Sequence, residues 1–221
     1  MKIELKGINK SFGDKTIYKD FNICFTNNIN CILGKSGGGK STLLNIISGL
    51  EKADAGNISG INLNDISYVF QEHRLIPWLT VKENIELFIY NYYSKEEAGK
   101  KFEFYLNLLE LSNCKENYIE SLSGGMKQRI NILRALLKPS KVILMDEPFK
   151  SLDYKVKYNI MKKIKSILKE ENRSLIFVTH DVDEAIYMEG EIFILGGVPF
   201  KIKGTYSNNL YSCKDEILNL I

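Results

Sequence analysis

Residues Gly34-Lys35-Ser36-Gly37-Gly38-Gly39-Lys40-Ser41, followed by Thr42, place a lysine and two hydroxyl residues at the end of a glycine-rich run. Each residue type there has a use toward phosphate. Glycines let backbone N–H groups turn to an anion with no Cβ in the way. A helix starting where the run ends adds the positive end of its dipole. The Lys40 ammonium is long enough to reach the β- and γ-phosphates of a nucleotide, and the Ser41 hydroxyl is a ligand for Mg²⁺.

Two carboxylates, Asp146 and Glu147, close the apolar segment Lys141–Met145. In open α/β sheets ligands bind beyond the carboxyl ends of the strands, which places Asp146 to face a metal ion beside the phosphate loop. Glu147 is then placed to orient or deprotonate a water. Ser123-Gly124-Gly125 opens a second helix and is a second anion-binding design. One nucleotide does not obviously need two such helix ends, which suggests a nucleotide held between two copies; taken by themselves, the three residues are better read as a plain helix cap with a glycine turn. His180 follows a buried-type strand and Gln71 ends the strand over Ser67–Phe70. Taken singly, neither says more than structure.

The elements that must position these groups alternate. Lys2–Lys6, Ile17–Phe25 and Ile29–Leu33 read as short strands, with Asn27-Asn28 as a turn. The glycine run leads into a helix whose Leu43, Leu44, Ile47 and Leu50 share a face. Short strands follow within 56–71, and a helical block spans 72–138. Within it Ser94 and Glu97 form a capping box, and the helix from Met126 stops before Pro139. Strand Lys141–Met145, a helix over Val156–Glu171 with Ile160, Ile164, Ile167 and Leu168 inward, and strand Leu175–Thr179 come next. Ile192–Leu195 and Pro199–Lys203 read as edge strands, and Lys214–Ile221 as a short amphipathic tail. Strands alternating with helices imply a parallel sheet.

Composition narrows the setting. In 221 residues, 30 Lys+Arg face 27 Asp+Glu, a net charge of +3, which gives no strong field for nucleic acid. Four cysteines (Cys24, Cys31, Cys114, Cys213) without a C-x-x-C pair, and only His73 and His180, argue against a zinc site or a disulfide framework and for reduced thiols. No signal peptide is expected at the N-terminus. No apolar run approaches the roughly 18 residues of a membrane span, so a membrane process would need a second chain.

Taken together these segments resemble the nucleotide-binding subunits of ATP-binding cassette (ABC) transporters, from Met1 to about Lys203. The glycine run stands as Walker A and Val142–Asp146 as Walker B with Glu147 next. Gln71 stands in the Q-loop, Leu122-Ser123-Gly124-Gly125-Met126 as the signature, Ser151-Leu152-Asp153 as the D-loop and Thr179-His180-Asp181 as the H-switch. The resemblance implies an α/β fold: a P-loop NTPase (RecA-like) core with an antiparallel β subdomain and an inserted α-helical subdomain. It implies one ABC ATPase domain, with 1–71 and 139–205 as the nucleotide-binding core and β subdomain, 72–138 as the helical signature subdomain and 206–221 as a tail.

The resemblance also implies roles. ATP and Mg²⁺ are the cofactors. Gly34 to Thr42, with Ser36 and Gly38 among them, hold the phosphates, and Phe12 stacks on adenine. Ser41, Gln71 and Asp146 hold Mg²⁺. Glu147 is the catalytic base, His180 the γ-phosphate switch, Lys40 a catalytic cation and Gln71 a sensor of Mg²⁺ and water that also links to the permease. Ser123, Gly124, Gly125 and Asp153 meet the nucleotide of a second copy in a head-to-tail homodimer. The partners implied are integral-membrane permease subunits, with an extracytoplasmic solute-binding protein acting indirectly, and no nucleic acid. The expected location is the cytoplasmic face of the membrane.

Arg74-Leu75-Ile76-Pro77-Trp78-Leu79-Thr80-Val81-Lys82-Glu83-Asn84 is similar to a run in importers of nitrate, aliphatic sulfonates and taurine, and thiamine-precursor importers share it. Trp78, the sole tryptophan, suits a permease groove or the core of the helical block equally. Other readings are a soluble ABC-type ATPase acting on nucleic acid or the ribosome, and a subunit of a half-size exporter. Lys150, where small or hydroxyl residues are usual, and Glu191 depart from the family pattern; a C-terminal regulatory domain is not expected.

Overall fold

Alternation with period two decides how the central sheet is buried. In β3 (Ile29–Leu33), Cys31 and Leu33 point into one apolar cluster and Ile32 into another. In β6 (Val142–Asp146), Ile143 and Met145 go one way, Val142 and Leu144 the other. β7 (Ser174–Thr179) splits Leu175 and Phe177 from Ile176 and Val178, and β8 (Glu191–Gly196) splits Ile192 and Ile194 from Phe193 and Leu195. A strand covered on both faces must be apolar at nearly every position, which is why these runs read as continuous rather than alternating.

The structure, a computed structural model, describes every residue except Met1, Ser36 and Gly38; the expectations placed on Ser36 and Gly38 lie outside the described residues. With β5 (Ile66–Val69) and β9 (Lys201–Tyr206), the strands form a six-stranded sheet in the order β5-β6-β7-β3-β8-β9. All neighbours are parallel except β8 and β9. A second, antiparallel sheet has the order β2-β1-β4, from β1 (Ile3–Phe12), β2 (Lys15–Phe25) and β4 (Ala55–Ser59). It shares one core with α1 (Lys40–Ile47) and one face of the central sheet.

The apolar cluster on the opposite face takes in α4 (Gly124–Leu137), α5 (Tyr154–Glu170) and α6 (Val182–Tyr187), with α2 (Val81–Ile89) and α3 (Lys95–Leu108) packed against α4, and α7 (Lys214–Leu220) against β8 and β9. Capping boxes start α2 at Thr80 and Glu83 and α3 at Ser94 and Glu97. Among the described residues no helix is long and apolar enough to cross a membrane.

Three local expectations need correction. Ile192–Leu195 is not an edge, because β8 lies between β3 and β9 and both its faces are buried; the edges are β5 and β9. The last strand begins at Lys201, not Pro199. Proline has no N–H to give a ladder, and the Phe200 N–H is taken 2.8 Å away by the Ile17 carbonyl of the other sheet. Leu50 does not share the face of Leu43, Leu44 and Ile47: α1 ends first, Gly49 turns the chain at φ +74°, and Leu50 is exposed.

Arg173, buried just before β7, ties the helical layer to the sheet. Its guanidinium donates to the carbonyls of Ala135 (3.2 Å), Leu136 (2.9 Å) and Lys138 (3.1 Å), the free acceptors at the end of α4, and to Ser140 Oγ (2.6 Å). Arg173→Ala orphans these acceptors inside the protein and lowers unfolding free energy by on the order of 3 kcal/mol. A chemical denaturation midpoint equal to the parent's would contradict that accounting.

Candidate functional site

β3 delivers the chain to the glycine run, and α1 leaves it. Two of the glycines are demanded by space. A Cβ on Gly34 would lie 2.6 Å from the Leu195 carbonyl oxygen. Gly39 stands at φ +71° as the N-cap of α1, and a Cβ there would lie 2.8 Å from Ile17 Cγ2. The Gly39 carbonyl accepts from the Tyr18 hydroxyl at 3.0 Å, so the β1–β2 sheet braces the loop. Lys40 is buried and curls back, donating to the carbonyls of Gly34 (2.8 Å) and Lys35 (2.7 Å).

The open cavity beside the loop has a volume of about 310 Å³. It is lined by Gly37, Gly39, Lys40, Ser41, Thr42, Gln71, Asp146, Glu147, Lys150 and Val178. Asp146 ends β6 with its Oδ1 buried and without a hydrogen-bond partner, and the Ser41 hydroxyl faces its carboxyl. Burial pushes the Asp146 carboxyl up, the Ser41 hydroxyl opposes this, and the Glu147 charge adds to it. Burial likewise pushes Lys40 down, against the attraction of Glu147 and Asp146.

Glu147 adopts φ +46°, a left-handed conformation rare outside glycine, and its N–H donates to the Val178 carbonyl at 3.0 Å. That kink turns its side chain toward two cationic or donor groups. His180 Nδ1 lies 3.1 Å from Oε1, and Lys150 Nζ lies 3.0 Å from Oε2. Burial alone would raise the Glu147 carboxyl; Lys150 and His180 outweigh it and hold the group below the usual carboxylate range.

His180 is held from behind. Asp181 caps α6 by accepting from the N–H groups of Asp183 and Glu184, and Lys157 of α5 pairs with Asp181 (2.9 Å) and the buried Glu184 (3.0 Å). Glu184 also accepts from Thr179 Oγ1 at 2.6 Å. Behind Gln71, the buried Asn131 of α4 donates to the Phe70 carbonyl at 2.8 Å, and the Arg74 guanidinium lies 3.6 Å from the Phe70 ring centroid. Residue types and spacing gave no sign of Lys157, Glu184 or Asn131: their partners are far away in the chain and only the fold brings them together.

The structure therefore gathers Gly37, Gly39, Lys40, Ser41, Thr42, Gln71, Asp146 and Glu147 around one cavity, with His180 joined through Glu147. Gly34 and Lys35 support the loop through the carbonyls that hold Lys40. Phe12, Ser123, Gly124, Gly125 and Asp153 do not line this cavity. Phe12 ends β1 with about half its surface exposed, and Lys10 Nζ sits 4.8 Å from its ring centroid, fixed there by Glu51 at 2.5 Å. Ser123 caps α4, accepting from the Met126 N–H at 3.3 Å. A Cβ on Gly125 would lie 2.9 Å from the Ser151 carbonyl oxygen, and Gln128 Nε2 donates to the Pro148 carbonyl at 2.8 Å. The start of α4 is thus seated on the loop that follows Glu147. Asp153 starts α5, and its side chain makes no cap hydrogen bond. Trp78 is 70% exposed, which removes the core alternative.

Known proteins agree with this architecture. The sequence model of the ABC transporter family matches residues 20–150. The chain is 37% identical to the aliphatic sulfonates import ATP-binding protein SsuB of Bacillus cereus, over 95% of this chain and 87% of that protein. It is 35% identical to the nitrate import ATP-binding protein NrtD of Synechocystis, over 95% and 84%. The dimeric, post-hydrolysis ATP-binding cassette MJ0796, solved with ADP and phosphate, superposes with a TM-score of 0.83 at 31% identity, over 93% of this chain and 98% of that one. With a P-loop NTPase core, an antiparallel β layer, a helical layer and the phosphate loop facing Asp146 and Glu147, the chain belongs to the ABC transporter family and is one of its nucleotide-binding ATPase cassettes.

Proposed function

We propose that this ATPase drives import of a small solute through a separate permease. The observation that carries the chemistry is the meeting of Lys40, Asp146 and Glu147 at one cavity beside a glycine loop, with His180 3.1 Å from the Glu147 carboxylate. The N–H groups of the loop and the Lys40 ammonium hold the phosphates of ATP. Glu147 accepts the proton of the attacking water, and His180, hydrogen-bonded to it, orients the carboxylate and meets the terminal phosphate. Gln71, at the cavity's rim, reports occupancy to the helical segment.

A divalent cation fits the donor set. The buried Asp146 Oδ1 has no protein partner, and the Ser41 hydroxyl and Gln71 amide complete a group of oxygen donors suited to Mg²⁺. When bound, Mg²⁺ would neutralise charge on the β- and γ-phosphates.

Ser123, Gly124, Gly125 and Asp153 stand outside their own chain's cavity, which supports contact with the nucleotide of a second copy in a homodimer. The helical segment 72–138 is read as the signature subdomain, the rest of 1–205 as the catalytic core with its β layer, and 206–221 as a tail. Trp78, Leu87, Tyr90 and Tyr118 leave apolar surface exposed on that segment, a surface suited to an integral-membrane permease at the cytoplasmic face of the membrane. The relatives import sulfonates and nitrate; the solute here is of that class or a thiamine-precursor-like one, delivered by an extracytoplasmic binding protein. A net charge of +3 supports no nucleic-acid role.

The direct test of the chemistry is phosphate release from ATP by the purified chain, dependent on added Mg²⁺; none at any protein concentration would contradict the proposal. In the same assay Phe12→Ala raises the KM for ATP by the loss of about 1–3 kcal/mol of base stacking and leaves turnover at saturating ATP. Complete inactivity at saturating ATP would contradict stacking as the role of Phe12.

A further inference from the structure

Lys150 sits in the loop between Glu147 and α5, and the loop's backbone is fixed. Phe149 is buried, the Pro148 carbonyl accepts from Gln128 Nε2, and the Leu152 N–H donates to the Phe149 carbonyl at 3.2 Å. From this anchored point the Lys150 side chain, about half exposed, turns into the nucleotide cavity, and its Nζ stops 3.0 Å from Glu147 Oε2. The charged groups around it are Asp146, Glu147, Lys40 and, across Glu147, His180. Lys40 donates to two backbone carbonyls of its own loop. Lys150 is the ammonium that faces the carboxylate expected to hold the attacking water.

A water held by Glu147 for in-line attack places the terminal phosphate next to that carboxylate, within the sweep of a four-carbon side chain. Glu147 Oε2 makes no hydrogen bond of its own, so its contact with Lys150 is a charge pair, and the ammonium can keep that contact while turning a donor to a phosphate oxygen. A terminal phosphate carries more negative charge than one carboxylate and offers three acceptor oxygens, so the ammonium gains by bridging both.

We propose that Lys150 is a further catalytic residue, a cation that bridges Glu147 and the terminal phosphate of the bound nucleoside triphosphate. The inference rests on the reading of this cavity as the nucleotide site.

The test compares Lys150→Met with the parent for binding of the β,γ-imido analogue of ATP and of ADP, each with Mg²⁺, and for steady-state hydrolysis. A bond to the terminal phosphate predicts about tenfold weaker binding of the triphosphate analogue, ADP binding within about twofold of the parent, and a fall in kcat, with Lys150→Arg restoring most of both. Equal weakening of both ligands overturns the proposal, since it would mark a structural or general electrostatic role. Unchanged binding overturns it, and so does a rise in kcat, which would make Lys150 a restraint on Glu147. A parent that binds neither ligand removes the nucleotide-site reading itself, whereas a variant with the parent's preference for triphosphate over diphosphate removes the role of Lys150 alone.

Discussion

Glu147→Gln lowers steady-state phosphate release by about 10²–10⁴-fold while ATP affinity stays at the parental level. The amide keeps the size of the carboxylate and its carbonyl oxygen still accepts from His180, but it cannot take a proton from water. The left-handed turn at residue 147, the burial of its side chain and the His180 contact 3.1 Å away all remain available to glutamine. Binding and hydrolysis therefore separate. With ATP and Mg²⁺ present, the variant accumulates as a dimer on size exclusion, because nucleotide held between two copies is no longer consumed. Hydrolysis at the parental rate would show that another group accepts the proton.

Lys40→Ala has the second large effect and a different signature. It removes the buried ammonium proposed to hold the phosphates, together with its bonds to the carbonyls of Gly34 and Lys35 that shape the loop. Affinity for ATP and ADP falls together, by about 100-fold, the loss of roughly two charge-assisted hydrogen bonds. Nucleotide titration by intrinsic fluorescence or calorimetry measures it. Parental affinity for ADP in this variant would contradict the role given to the loop lysine. The two variants thus divide the site into a holding half on β3 and α1 and a reacting half on β6 and β7.

Much of this division is legible in the sequence. The glycine run, the lysine and hydroxyl that close it, and the acidic pair after an apolar strand are dictated by chemistry, so type and spacing alone point to them. The buried parallel strands are legible because both faces demand apolar residues. The less legible parts involve distant contacts. The place of β8 in the sheet depends on β9 pairing to its outer edge, and Leu50 leaves the α1 face because of one left-handed glycine. Lys150 reads as a departure at a loop position; its contact with Glu147 depends on that residue's turn and on the anchoring of Phe149. Lys157, Glu184 and Arg173 are ordinary charged residues in the sequence and become network members only when α5, α6 and the end of α4 meet. The roles proposed for Ser123 and Gly125 toward a nucleotide need a second copy, because both lie away from their own chain's cavity.

The function proposed for this cassette is to power a membrane permease. The most direct measurement is affinity capture of Glu147→Gln from native membranes with ATP and Mg²⁺, read by mass spectrometry. Recovery of a multi-span permease, together with a solute-binding protein, is the result predicted. Recovery of ribosomal or DNA-associated proteins with no membrane partner would contradict the transport assignment.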